Sequence, residues 1–175
     1  GLIHLATHGF FLPDAENRAV DEIGRRQGGG REKPAENPLL RSGLIMSGAN
    51  HQWLAREYVM EEELEDGILT ADEISRLNLT KTRLVVLSAC ETGLGDVENS
   101  EGVFGLQRAF KLAGVESLIM SLWKVPDEAT AELMILFYNE WLAGNSKQNA
   151  FKTAQGKVRA EYQSPYYWAA FVMMD

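Results

Sequence analysis

The sequence contains very little cysteine, since Cys90 is the only one among 175 residues. A single thiol excludes an internal disulfide and favours a reducing compartment, so we predict a cytoplasmic location. The sequence also lacks the run of about 20 apolar residues that a membrane span requires, and no signal peptide is recognisable. We therefore expect no membrane-spanning segment and no membrane partner.

Basic residues are in deficit, with 17 Lys and Arg against 25 Asp and Glu and a formal net charge of −8. This balance argues against a surface for nucleic acid or anionic membranes. No Gly-Lys-Ser/Thr occurs, and Gly93-Leu94-Gly95 lacks the third glycine of a dinucleotide loop because Glu98 stands there. His4 and His8 would lie about 13 Å apart on one extended strand. We therefore predict no nucleotide, no metal and no other cofactor.

Apolar segments alternate along the chain with segments of helical periodicity, and 45% of the residues are hydrophobic. Alternating strands and helices predict βαβ crossovers, and hence an α/β domain whose mostly parallel sheet is flanked by helices on both faces. We expect a single domain over residues 1–175. The predicted strands are 2–7, 44–49, 83–89, 117–123 and 168–173, with a brief extended piece at 67–69, and the predicted helices are 70–77, 101–113, 127–143 and 146–162.

Three local signals support these boundaries. Thr70-Ala71-Asp72-Glu73 has the form of a capping box, which begins a helix. The four apolar residues from Leu84 to Leu87 predict a strand that is covered on both faces. Gly114 stands where a glycine commonly follows the end of a helix.

Residues 14–37 interrupt the pattern, because they are polar and include Gly28-Gly29-Gly30. So long a polar segment within a compact domain predicts a flexible loop, which is usually functional or disordered. We regard it as a candidate for gating or for self-cleavage.

Two short motifs stand at the ends of predicted strands. The first is LATHGF, with His8 followed by Gly9, and the second is SACETG, with Cys90. If the two strands are parallel neighbours, about 4.8 Å apart, both side chains emerge at one edge of the sheet, where an imidazole can serve a thiol. The N–H groups of Gly9 and Cys90 then become candidates for an oxyanion hole. Taken alone, each motif more often marks a buried core histidine or an inert buried thiol than a catalytic residue.

These motifs resemble those of the CHAT domain, a caspase-like module associated with tetratricopeptide repeats. The resemblance implies a caspase-haemoglobinase-like fold and a cysteine endopeptidase, with His8 as base or ion-pair partner and Cys90 as nucleophile. It also implies a protein substrate and regulation by repeat domains or a partner. Further stretches that match the same pattern are NPLLRSGL (37–44), DGILTADEI (66–74), EGVFGLQRAFKLAGV (101–115), SLWKVPDEAT (121–130) and YYWAAFV (166–172).

The sequence departs from this family at its front. CHAT domains usually carry further sheet and helix before the histidine strand, whereas this chain begins at that strand. We therefore expect the N-terminal portion of the fold to be absent from the chain.

Asp127 is the candidate specificity residue. A similar stretch in the related separases contributes an acidic S1 pocket for arginine, so the resemblance implies that Asp127 binds basic P1 side chains. The alternative is that Asp127 caps the helix that begins there. For the chain as a whole, the alternatives to an endopeptidase are a catalytically silent interaction scaffold and a thiol amidase that acts on a small molecule.

Overall fold

The computed structural model describes residues 1–11, 38–47, 49, 67–88 and 100–175, without the side chains of 11, 38 and 100–103. The predicted loop at 14–37 lies outside these residues. A 3-10 turn covers Pro38–Leu40. The strands are β1 (Leu2–Leu5), β2 (His8–Phe11), β3 (Ser42–Ile45), β4 (Ile68–Thr70), β5 (Leu84–Leu87), β6 (Ser117–Ser121) and β7 (Phe171–Met174), and the helices are α1 (Ala71–Arg76), α2 (Ser100–Leu112), α3 (Asp127–Leu142), α4 (Lys147–Glu161) and α5 (Pro165–Trp168).

The larger sheet has the strand order β1-β5-β6-β7, in which β1, β5 and β6 are parallel and β7 is antiparallel. All four residues of β5 are buried. Leu84 and Val86 pack in the core beneath α3 and α4, whereas Val85 and Leu87 pack in the core beneath α1 and α2. The prediction of a mostly parallel sheet with helices on both faces is therefore confirmed.

The first predicted strand, 2–7, is wrong in two respects. It ends at Leu5, and it is not a buried strand. Leu2 and His4 are exposed, and Ile3 and Leu5 are only partly buried, because β1 is the edge strand in the described part of the larger sheet. The chain then enters β2, which belongs to a separate antiparallel sheet of order β2-β3-β4. Apolar periodicity did not reveal this change of sheet because both strands are extended and neither is interrupted by proline or a polar run.

Close packing within the smaller sheet holds β2 against β3 and β4 after the chain leaves β1. The Thr7 hydroxyl donates a hydrogen bond to the Ile45 carbonyl on β3. A Cβ atom at Gly43 would lie 2.6 Å from the Leu69 carbonyl oxygen and 2.7 Å from the Phe10 ring, so only glycine permits this approach of β2, β3 and β4.

The helices begin and end close to their predicted positions. At α1 the Thr70 hydroxyl accepts the Glu73 N–H at 3.2 Å, and the Glu73 carboxylate accepts the Thr70 N–H at 2.8 Å, so the capping box is confirmed. Gly114 follows α2 with a φ of 94°, in the left-handed region that the prediction requires. The short helix α5, capped by Ser164, was not predicted, and β7 therefore begins at Phe171 rather than at 168.

A buried lysine ties the amino ends of β5 and β6 to α4. Lys147 is only 6% exposed, and its ammonium group donates to the Arg83 carbonyl at 2.9 Å, the Glu116 carboxylate at 2.6 Å and the Ser117 hydroxyl at 2.7 Å. The hydrogen bond between the Lys147 ammonium and the Glu116 carboxylate, together with the charge of Lys147, holds the pKa of the Glu116 carboxyl below its usual range. The network lies at the amino ends of the parallel strands, on the opposite side of the sheet from their carboxyl ends.

We expect Lys147→Met to lower the free energy of unfolding by about 2 kcal/mol, because it removes charge-assisted hydrogen bonds from partly buried acceptors. Urea denaturation measures the change. The matched control is Lys157→Met, whose exposed pair with Glu140 at 2.7 Å is expected to contribute less than about 1 kcal/mol. Equal losses in the two variants would contradict this assignment.

Candidate active site

His8 is the first residue of β2 and pairs with Ile45 of β3. Its side chain is exposed, whereas the adjacent Gly9 is buried and pairs with Leu44. The hydrogen bond from Thr7 to β3 holds the backbone immediately before His8. Because the imidazole is exposed on an anchored strand, the interpretation of His8 as a buried core histidine is wrong.

Cys90 lies outside the described residues, which reach Ser88 along this segment. The strand that leads to it, β5, is a direct parallel neighbour of β1, the strand that leads to His8. Leu2 pairs with Leu84 and Leu5 with Leu87, so the partners are 82 positions apart throughout the ladder. The pairing continues beyond β5, since the Ser88 N–H donates to the Leu5 carbonyl at 2.9 Å.

Asp127 is the first residue of α3 and is exposed. The alternative assignment of Asp127 as the helix N-cap is wrong, because Pro126 occupies that position and makes no side-chain capping bond. Since β6 is parallel to β5, the segment from β6 to Asp127 leaves the larger sheet at the same edge as the segment that follows β5. Asp127 therefore follows a strand at the end of the sheet where ligands bind in α/β folds.

The segment between β6 and α3 is anchored to the segment around α5. The Leu122 N–H donates to the Ala170 carbonyl at 2.8 Å, and the Trp123 indole N–H donates to the Tyr166 carbonyl at 2.9 Å. Val125 is buried, with 1% of its surface exposed. Asp127 thus follows a segment that is held at several points.

The sequence analysis did not identify a hydrogen-bonded group formed by Tyr138, His4 and Ser88. The Nδ1 atom of His4 lies 3.0 Å from the Tyr138 hydroxyl oxygen, and Nε2 lies 3.1 Å from the Ser88 Oγ. Burial lowers the pKa of the His4 imidazole and raises the pKa of the Tyr138 hydroxyl. The imidazole is therefore neutral, and the tyrosine protonated, at neutral pH.

One signal in the sequence did point to this group. Tyr138 stands within the apolar stretch of α3, and a tyrosine hydroxyl that is drawn towards a core generally has a hydrogen-bond partner. The partner itself is not predictable from the sequence, because the spacing of His4 and His8 predicts one strand that carries both and bears only on metal binding. His4 and His8 in fact belong to different strands in different sheets.

Within the described ranges, no three His, Cys, Asp or Glu side chains form a group that could hold a metal ion. No described helix has both the length and the apolar character that crossing a membrane would require.

Comparison with known proteins matches residues 1–175 to the CHAT domain. Tetratricopeptide repeat protein 28 of Homo sapiens is 32% identical to the chain over 113 residues, which are 63% of this chain and 4% of that protein. Its counterpart in Mus musculus is 31% identical over the same length and coverage. The chain thus spans a small fraction of these relatives, but the family match extends over all of its residues. The chain belongs to the CHAT domain family.

Proposed function

We propose that this protein is a cysteine endopeptidase that cleaves protein substrates through His8 and Cys90. The observation that supports the dyad best is the parallel ladder between β1 and β5, in which paired residues are 82 positions apart. His8 and Cys90 are also 82 positions apart. His8 comes three residues after the end of β1, and Cys90 comes three residues after the end of β5. Membership of a family related to caspase-like peptidases supports the same assignment and a caspase-like fold.

In the proposed reaction, His8 accepts the proton of the Cys90 thiol, and the thiolate attacks the scissile carbonyl carbon. The N–H groups of Gly9 and Cys90 stabilise the oxyanion that forms. The amine leaves with the proton that His8 returns, and a thioester to Cys90 remains. Water, deprotonated by His8, then hydrolyses the thioester and regenerates the thiol.

Asp127 is the proposed determinant of a preference for basic P1 residues. The residue is exposed near the end of the sheet where β6 ends, and Pro126 rather than Asp127 occupies the N-cap position of the helix. Asp127 therefore remains available to pair with a guanidinium or ammonium group of a substrate.

For partners, we propose that tetratricopeptide repeats regulate this domain. The two relatives are both named for these repeats, and the chain matches only 4% of each. The repeats of the relatives thus accompany a region similar to this chain. A cytoplasmic location, expected from the single thiol, remains a prediction.

The test uses two readouts on the purified protein. The first is labelling by a peptidyl-arginine acyloxymethyl ketone, followed by intact mass. The second is cleavage of casein, followed by identification of the new N-termini. We expect both with the wild type and neither with Cys90→Ala, because the chain holds no other thiol.

Each alternative predicts a different result. A catalytically silent scaffold reacts with iodoacetamide at an ordinary thiol rate but shows neither ketone labelling nor casein cleavage. A thiol amidase for small molecules shows Cys90-dependent labelling without casein cleavage. Either result would overturn the endopeptidase assignment.

A further inference from the structure

The hydrogen-bonded group of Tyr138, His4 and Ser88 joins three elements that are distant in the chain. His4 belongs to β1, Ser88 directly follows β5, and Tyr138 belongs to α3. The contacts bridge 84 positions between His4 and Ser88 and 134 positions between His4 and Tyr138. One imidazole ring therefore links β1, the end of β5 and α3.

The same three elements lead to the three residues of the proposed site. His8 follows His4 by four positions, Cys90 follows Ser88 by two, and Asp127 begins the helix that contains Tyr138. A displacement of β1 against β5 would change the distance between the proposed base and nucleophile, which follow those two strands directly.

The chemistry of the ring suits a link between two hydroxyl groups. A neutral imidazole carries one N–H donor and one nitrogen lone pair. It therefore accepts a hydrogen bond from one hydroxyl and donates a hydrogen bond to the other. Burial lowers the pKa of His4, so the ring remains in this neutral form at pH 7. An aliphatic side chain of similar size would leave both hydroxyl groups without this partner.

We propose that His4 is a positioning residue, which holds the carboxyl end of β5 through Ser88 and aligns it with β1 and α3. This inference rests on the proposed function, because the alignment matters for Cys90 and His8. His4 takes no proton from the substrate and makes no contact with it in this role. Ser88 transmits the effect, since its own N–H continues the ladder to the Leu5 carbonyl.

The test compares His4→Leu, His4→Gln, Ser88→Ala and Tyr138→Phe by two measurements. The first is hydrogen exchange of the Ser88 amide, which reports on the end of β5 whether or not the protein is an enzyme. In His4→Leu and Ser88→Ala we expect its protection to fall by about five- to tenfold, the equivalent of one net hydrogen bond. His4→Gln places an amide nitrogen near the position of Nε2 and is expected to retain most of the protection.

The second measurement separates the inactivation rate, kinact, from the binding constant, KI, for the peptidyl-arginine ketone. We expect kinact to fall about tenfold in His4→Leu, Ser88→Ala and Tyr138→Phe, with KI changed less than about twofold, because misalignment affects the reacting atoms more than binding. His4→Gln is expected to recover most of kinact. If His4 had a purely structural role, the loss of kinact across the variants would instead follow their loss of global stability. Thermal unfolding of the same variants measures that stability.

Two hydroxyl deletions on other elements serve as matched controls. Ser75→Ala removes a hydroxyl that donates to the Asp72 carbonyl within α1. Tyr167→Phe removes one on α5, which precedes β7, the strand at the other end of the strand order from β1. Both are expected to leave the Ser88 amide and kinact unchanged.

Unchanged protection of the Ser88 amide in His4→Leu would overturn the inference, and so would an unchanged kinact. If the wild type is not labelled, or its labelling does not depend on His8, the proposed function fails instead. Hydrogen exchange still decides in that case whether His4 holds the end of β5, so the two failures are distinguishable.

Discussion

Replacing His8 with alanine is expected to lower kcat/KM for a fluorogenic peptidyl-arginine amide by about 10²- to 10⁴-fold, the usual contribution of a positioned general base. The imidazole is exposed at the start of β2, and its backbone is held by the contact between Thr7 and Ile45. Its loss therefore removes the base without removing a buried group. We expect the variant to remain folded, with a melting temperature close to that of the wild type.

The pH dependence of Cys90 alkylation by iodoacetamide gives an independent measure of the dyad. A thiol that has an imidazolium partner titrates below the ordinary value of about 8.5, so its alkylation reaches the plateau at a lower pH. In His8→Ala the midpoint is expected to rise to about 8.5, since the thiolate has lost its cationic partner. Intact mass follows the reaction cleanly, because the chain contains one cysteine.

His51→Ala is the control, since it removes the third histidine of the chain, which has no part in the proposed mechanism. Its alkylation midpoint should equal that of the wild type. A midpoint near 8.5 in the wild type itself, or one that does not move in His8→Ala, would show that His8 and Cys90 do not interact.

Replacing Asp127 with asparagine is expected to abolish the preference for a charged P1 residue. Acyloxymethyl ketones with P1 arginine and P1 citrulline differ in charge and very little in shape. We expect the wild type to prefer arginine and Asp127→Asn to lower the ratio of their kinact/KI values by about 10- to 100-fold, because a charge-assisted hydrogen bond is lost. The rate with citrulline should change little.

Glu128→Gln provides the matched control for Asp127. Glu128 is an exposed carboxylate on the same first turn of α3, so the two variants change net charge equally. The ratio should be unaffected by Glu128→Gln. Equal effects of both substitutions would indicate a general electrostatic influence of the helix terminus, and an unchanged ratio in Asp127→Asn would exclude the pocket role.

Local patterns in the sequence predicted those elements whose cause is itself local. The capping box at Thr70 and Glu73 determines where α1 begins because its partners are three residues apart. The four apolar residues of β5 predicted burial on both faces, since no polar side chain interrupts them. Position relative to the carboxyl ends of parallel strands likewise marks His8 and Asp127 as candidate site residues in the sequence.

The division of the first predicted strand could not be read from the sequence. Residues Leu2 to Phe11 are compatible with extended backbone throughout, and the change of sheet between Leu5 and His8 depends on packing against β3. The same holds for Asp127, because only the backbone conformation of Pro126 shows which residue caps α3.

By itself, the sequence determined the family, the alternation of helices and strands, and the two motifs that carry the proposed dyad. The tertiary structure alone decided that β1 is the parallel neighbour of β5, that β2 belongs to a second sheet, and that His4 joins Ser88 to Tyr138. The physical reason is the distance along the chain over which each interaction acts. Propensity, capping and periodicity act over a few residues, whereas strand pairing and side-chain hydrogen bonds between distant segments depend on how the whole core is buried.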